Sequence, residues 1–381
     1  MRILLVCENY LPHYGGAEVV FKNIAEGFAK TGNKVDLVTR RLPGTKKFEI
    51  INDVHVHRVR SFNTRYLFSF TAIPTVLRLA KEADIIQTTT FNGAPPAWIA
   101  ARVRKKKVVL TVHEVWVGKW KQVTDLNIIS CWIHNFLERM IYTITFDHYI
   151  CVSNATKNDL LQSQTKIAKE NVTTIHNGMD YDFWNPKQFD GGKVREKLSL
   201  EGRFICFAWG RPGISKGLEY AIKAMSTICA KIPKAVLLLM LGSPQSYKKR
   251  TKYLQDLVSK SNGNIIILES IPYAELGDYI AVADCVLVPS IAEGFGYNAV
   301  EACTMGKPVV ASDVGSLPEV VSGKFTLVPP KNSEAIAEAV VKASKGEFTK
   351  TPLKRFSWEK ARKEYLQVYN RLLGEHSSTQ N

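Results

Sequence analysis

The chain has 381 residues, 45% hydrophobic and 23% charged, the make-up of an ordinary globular protein and too long for one core, so two domains are expected. Lysine and arginine number 51 against 35 acids, a formal charge of +16 that calls for an anionic partner. No apolar run approaches the roughly 18 residues of a membrane span, residues 1–6 read as the start of a core strand, so that no signal peptide is expected, and the seven cysteines lack a Cys-x-x-Cys spacing, so a cytoplasmic protein with reduced thiols and no zinc site is expected.

Strand-like and helix-like segments alternate from the start. Residues 3–7 read as a strand and 17–30 as a helix with Val19, Val20, Ile24 and Phe28 along one stripe, followed by a strand at 34–39. Short apolar strands follow at 84–87 and 107–112. Residues 129–144 carry Trp132, Ile133, Phe136, Leu137, Met140 and Ile141 at helical spacing and are predicted to form a core helix. Strands at 148–152 and 172–175 complete a first domain over 1–183. The polar, turn-rich stretch 185–192 reads as a linker. The alternation then repeats, with strands at 204–208, 236–241, 264–268, 285–288, 308–311 and 326–328, giving a second domain over 184–356 and a last helix from Trp358 to about Leu373 within 357–381. Such alternation predicts α/β architecture with two doubly wound, mainly parallel sheets.

The most informative stretch begins where the apolar run 284–289 stops at Ser290: Glu293-Gly294-Phe295-Gly296-Tyr297, then a helical segment with a second acid, Glu301. A buried strand, a glycine turn and a helix start offer backbone N–H groups to an anion. Glu293 and Glu301 stand about two turns apart on nearly one face, suiting a phosphate flanked by polyols, as in a nucleotide sugar. Upstream, the strand 204–209 runs into Gly210-Arg211-Pro212-Gly213-Ile214-Ser215-Lys216-Gly217, which supplies a planar guanidinium and a compact ammonium on a loop that comes close to a ligand.

Together the two elements resemble the signature of GT-B glycosyltransferases, specifically glycosyltransferase family 4: a Gly-Arg…Lys-Gly loop, then Glu-x7-Glu enclosing Glu-Gly-Phe-Gly. The resemblance extends from Pro12-His13-Tyr14-Gly15-Gly16-Ala17-Glu18 to the final helix. It implies two Rossmann-like domains with a cleft between them, a last helix crossing back to the first, and a retaining hexosyltransferase that uses a UDP- or GDP-sugar without a metal or other cofactor. It further implies that Arg211 and Lys216 neutralise the leaving diphosphate, Glu301 takes the ribose hydroxyls, and Glu293 meets the donor sugar. Gly294, Phe295, Gly296 and Tyr297 would offer backbone N–H groups, and Gly15 and Gly16 would border the donor phosphates or the acceptor. His113, at a strand end, matches the family's histidine beside the transferred sugar; Glu114 departs from the commoner His-Asp.

Two basic segments remain. Residues 102–107 read as a charged loop before a strand. Residues 115–121 interleave Trp116 and Trp120 with Lys119 and Lys121, suiting sugar stacking or an anionic lipid surface at the acceptor side. The acceptor expected is a saccharide or lipid-linked saccharide, with peripheral contact to an anionic membrane and no nucleic-acid partner. A GT-B enzyme of other chemistry (epimerase or phosphorylase), a silent sugar-binding homologue and an exported solute-binding protein are the competing readings. Residues 315–319, Gly-Ser-Leu-Pro-Glu, are given no direct role.

Overall fold

The structure is a computed structural model that describes residues 1–13, 15–62, 64–242 and 247–374. The chain folds as two units, one of Met1–Val117, Trp132–Gly178 and the segment from Phe356 onward, the other of Gly118–Cys131 and Met179–Arg355. The division thus falls after Gly178 and Arg355, where the sequence suggested 183 and 356, and 118–131 is counted with the second unit.

The first unit is built on an eight-stranded sheet of β1 (Arg2–Val6), β2 (Lys34–Arg40), β3 (Phe48–Ile51), β4 (Val54–Val59), β5 (Ile85–Thr89), β6 (Lys107–Val112), β7 (His148–Cys151) and β8 (Val172–Thr174). Its order is β3-β4-β2-β1-β5-β6-β7-β8, parallel except for the β3–β4 hairpin. The central strands are apolar because helices cover both faces: Leu4, Val6, Ile86, Val108 and Leu110 are fully buried. The hairpin was not foreseen. Val54–Val59 alternates buried and half-buried residues and reads weakly beside the continuous apolar runs. Order reverses at β1, which has β2 on one side and β5 on the other, so the loop leaving β1 lies at a switch point where ligands bind in open sheets. Helix α1 (Gly16–Lys30) follows that loop. The Trp358–Leu373 helix packs on it, setting Tyr365 and Tyr369 against Phe28, with ring centroids 6.5 and 5.7 Å away.

The helix predicted at 129–144 exists as α2 (Ile128–Thr143), but it is not a core helix. Trp132 is 67% exposed, Phe136 and Met140 50% each, and Ile133 and Leu137 also face solvent. Its inward side holds Cys131, Tyr142 and the carboxylate of Glu138, which is 1% exposed and accepts the backbone N–H of Trp116 at 2.8 Å. Helical periodicity reveals an apolar stripe but not which way it points.

In the second unit β9 (Phe204–Gly210), β10 (Ala235–Leu241), β11 (Ile265–Leu268), β12 (Cys285–Val288), β13 (Val309–Ser312), β14 (Lys324–Val328) and β15 (Thr349–Lys350) form a sheet of order β11-β10-β9-β12-β13-β14-β15, parallel up to the short final strand. Ala208, Leu237, Leu239, Cys285 and Leu287 pack on Ala221, Met225, Ile228 and Val340 to make its core. Here the order reverses between β9 and β12, whose pairing joins Cys206 to Cys285. Helices α3 (Leu218–Lys231) and α4 (Tyr297–Thr304) follow the loops that leave these two strands. All seven cysteines are free, and six are buried.

Candidate active site

The second unit's switch point gathers most of the residues singled out above. The loop after β9 and the loop after β12 are knitted by backbone: Ile291 N–H donates to the Ser215 carbonyl at 2.7 Å and Ala292 N–H to the same oxygen at 3.3 Å. Gly217 allows this approach. Its φ is +60°, and a Cβ there would stand 2.0 Å from the carbonyl oxygen of Pro289, a collision backbone cannot yield to. Neither α3 nor α4 has a side-chain N-cap, so the two helix starts carry glycines, Gly217 and Gly296, at the cap positions.

Within this frame Lys216 Nζ donates to Glu293 Oε2 at 2.7 Å, and Ser290 Oγ donates to the same oxygen at 3.1 Å. Both ionic side chains are largely buried, so the pair is held in low dielectric, where breaking it from one side is costly. Glu293 is also fixed by its main chain. Ser316 N–H and Oγ both donate to its carbonyl, at 3.2 and 3.3 Å, and Gly315, at φ +55°, leaves space that a Cβ would close to 2.4 Å from that oxygen. The 315–319 segment thus holds the main chain of Glu293 from behind. Arg211 is exposed on its loop. Gly294, Phe295 and Gly296 are buried beneath the turn, the Phe295 ring meeting Tyr297 at 5.1 Å.

Glu301 lies on α4 and is 4% exposed, with Tyr273 donating to Oε1 at 3.0 Å. Burial pushes its pKa up to about 7, against the opposing hydrogen bonds from Tyr273 and Trp209 and the charge of Lys216. The group therefore titrates near neutrality. Tyr273 is held by Phe183, stacked at 5.4 Å, and Trp184, edge-on at 5.7 Å. Asn298 Nδ2 donates to the Trp209 carbonyl at 2.6 Å, tying α4 to the end of β9. Tyr273 and Asn298 escaped the sequence reading, whereas Ser290, at a strand end, and Ser316, in the 315–319 segment, are visible there without a role.

In the first unit Gly15 is the N-cap of α1 and Gly16 its first residue. Tyr14 lies outside the described residues. Glu18, at the third helical position, turns back over Gly15 and lies 3.4 Å from His13 Nδ1. His113 follows β6, its ring 6.3 Å from Phe21. Its Nε2 is buried with no hydrogen-bond partner among the described residues. Burial lowers the pKa of His113 to about 4, with the charge of Glu18 pulling the other way, so the imidazole is neutral at physiological pH. Glu114 is half-buried.

Residues 115–121 are not an exposed aromatic patch. Trp120 is 7% exposed and begins the short helix Trp120–Val123, which packs against the Ile214–Lys216 turn within the second unit; Trp116 and Lys119 are half-buried. A ring packed in this way is not available to a lipid surface, because its apolar area is already covered.

The family described as Glycosyltransferase Family 4 matches residues 14–183, and that described as Glycosyl transferases group 1 matches 192–364. An uncharacterized glycosyltransferase of Methanocaldococcus jannaschii is 28% identical across 97% of this chain and 98% of its own length. The GPI3 subunit of phosphatidylinositol N-acetylglucosaminyltransferase from Saccharomyces cerevisiae is 21% identical across 97% of this chain and 83% of its own. Among solved structures, Anabaena HepE in complex with UDP-glucose is similar with a TM-score of 0.75 at 19% identity, covering 97% of this chain and 100% of that one. Two doubly wound sheets, knitted loops at a switch point and matches to both halves lead to one assignment: the chain is a GT-B glycosyltransferase, a transferase of EC 2.4 type, that resembles family 4.

Proposed function

We propose that the chain transfers a hexose from a UDP- or GDP-sugar to a saccharide or lipid-linked saccharide, with retention of configuration and without a metal, at the cytoplasmic face of the cell membrane. The observation that carries the donor reading is the Lys216–Glu293 pair, seated with Ser290 where two glycine-bounded loops meet. A donor diphosphate gives Lys216 a stronger partner than a carboxylate already shared with Ser290, and sugar hydroxyls then give Glu293 new donors. The HepE neighbour, whose complex contains UDP-glucose, supports a nucleotide-sugar donor. Yeast GPI3, named for a phosphatidylinositol acceptor, supports a lipid-linked one.

The chemistry follows from where charge develops. As the anomeric C–O bond breaks, the diphosphate gains negative charge, and Lys216 and Arg211 oppose it from fixed positions. Glu301, once ionised, accepts from the vicinal ribose hydroxyls. The acceptor oxygen bonds to the anomeric carbon on the face the diphosphate leaves, and a departing diphosphate oxygen takes the acceptor's proton. His113, neutral, hydrogen-bonds a sugar hydroxyl without adding charge to the site. Nuclear magnetic resonance of the product tests the reading: an α-linked donor should yield an α-linked product, and a β linkage would rule out the front-face course.

A further inference from the structure

The outward face of α2 is unlike any other surface described. At about 100° per residue, Trp132, Ile133, Phe136, Leu137 and Met140 fall within one half of the helix, and all are exposed, while the ionisable Glu138 is turned inward. This inverts the pattern of a helix that faces water. Trp132 and Phe136 stack in parallel, with centroids 5.9 Å apart. A second element extends the surface. Tyr66 OH and His134 Nε2 lie 3.0 Å apart, joining α2 to the segment that bears exposed Phe62 (75%), Leu67 and Phe70 (69%). The resulting apolar area comes from two elements of one unit and is larger than scattered surface residues require.

Positive charge adjoins it. The segment that carries Phe70 continues to Thr71, which lines a cavity of about 860 Å³ together with Arg41, Lys47, Arg58, Arg60 and Arg78. A smaller cavity shares Arg41 and Arg60 and reaches Phe62. Arg58 is buried and ion-paired through Nη2 to Glu49 at 2.6 Å, yet its Nη1 has no hydrogen-bond partner among the described residues. Beyond the other end of α2, Arg102 donates to the Thr145 carbonyl at 2.6 Å, placing the basic 102–107 segment there as well.

We propose that this surface docks on an anionic phospholipid bilayer, the α2 face with Phe62 and Phe70 entering the headgroup–acyl boundary and the arginine-lined cavity taking a lipid phosphate. Apolar side chains flanked by cations are what such a surface rewards, since burial of apolar area adds to attraction by the lipid charge. The docking lies on the membrane and does not cross it, for no helix among the described residues is long and apolar enough to span one. A second copy of the chain fits poorly, because a two-fold interface would bring the same basic cavities together. The inference deepens the lipid-linked acceptor reading and rests on it for its purpose, while its test reads binding alone.

The test is flotation of the full chain with phosphatidylcholine vesicles, with and without phosphatidylglycerol. The wild type should float with the anionic vesicles at low salt and detach as salt rises. Trp132→Ser with Phe136→Ser, and separately Arg60→Ala with Arg78→Ala, should each weaken that binding about tenfold or more. All four residues are exposed, so thermal melting and nucleotide-sugar hydrolysis should stay unchanged. A wild type that remains unbound, or variants that float equally well, would overturn the proposal. So would a lipid-free dimer, seen by light scattering, that the Trp132/Phe136 pair disperses. Binding that persists in an enzyme active only on soluble sugars would sink the lipid-linked acceptor but uphold the docking surface.

Discussion

The two strand-end clusters manage charge in opposite ways. In the second unit Lys216 and Glu293 are both ionic and satisfied by one another, and Glu301 sits close to its own titration point. In the first unit His113 is held neutral by burial, with only the carboxylate of Glu18 favouring its charged form. Each cluster lies just past the carboxyl end of a parallel strand. What differs is the provision of compensating groups: the β9 and β12 loops bring lysine and serine to Glu293 and the stretch after β11 brings a tyrosine to Glu301, whereas Phe21 gives the imidazole an apolar wall. One cluster suits a substrate that brings negative charge, the other a neutral hydroxyl.

Removing the cation should break the contrast most sharply. Lys216→Ala, or Arg211→Ala, should lower kcat by roughly 100-fold or more if each acts as one oxyanion-type donor. The Lys216 variant should also raise the pKa of Glu301, because the ammonium holds it down. Single-turnover kinetics with matched melting curves would check this, and near-wild-type turnover in the Lys216 variant would end the assignment.

A smaller effect concerns Glu301. Its folded pKa of about 7 lies above the ordinary 4.5, so the protonated form is favoured by folding. The substrate-free protein should therefore lose stability as pH rises from 4.5 through 7, by up to about 3 kcal/mol at 1.36 kcal/mol per unit. Glu301→Gln should remove that part of the slope. Urea titrations of both proteins at pH 5 and 8 provide the comparison, and identical slopes would contradict the buried carboxyl.

The smallest readout belongs to His113, whose sign is reversed. Its folded pKa of about 4 lies below 6.5, so its contribution is present above pH 6.5 and is lost as pH falls through 4. Carboxylates begin to titrate in the same window and obscure part of it. His113→Asn should flatten the acid limb of the stability profile while leaving the neutral-to-alkaline limb as it was. An unchanged acid limb would place the imidazole in a more solvated setting.

Legibility in the sequence divided along the same physical lines. The β1, β6, β9 and β12 strands are mainly apolar runs, and the acids, glycines and cations that follow them are local in sequence, so the fold class and the positions of these loops could be read directly. Tyr273 and Ser316 reach Glu301 and Glu293 from 28 and 23 residues away, and no periodicity announces such partners. Helix α2 was found and then turned the wrong way, because the same stripe serves a protein interior or another apolar medium equally well.

The bonds from Ile291 and Ala292 to Ser215, with Gly217 beneath Pro289, have a consequence for anyone who would re-engineer donor choice. Neither loop is an independent module. Transplanting the 289–297 turn from a relative into this chain would import a backbone shaped to a different 210–217 partner, and the graft would fail at the seam rather than at the sugar. The smallest transferable piece comprises both loops together with Gly315 and Ser316, which grip Glu293 from behind. Libraries that randomise one loop alone will mostly recover its starting backbone.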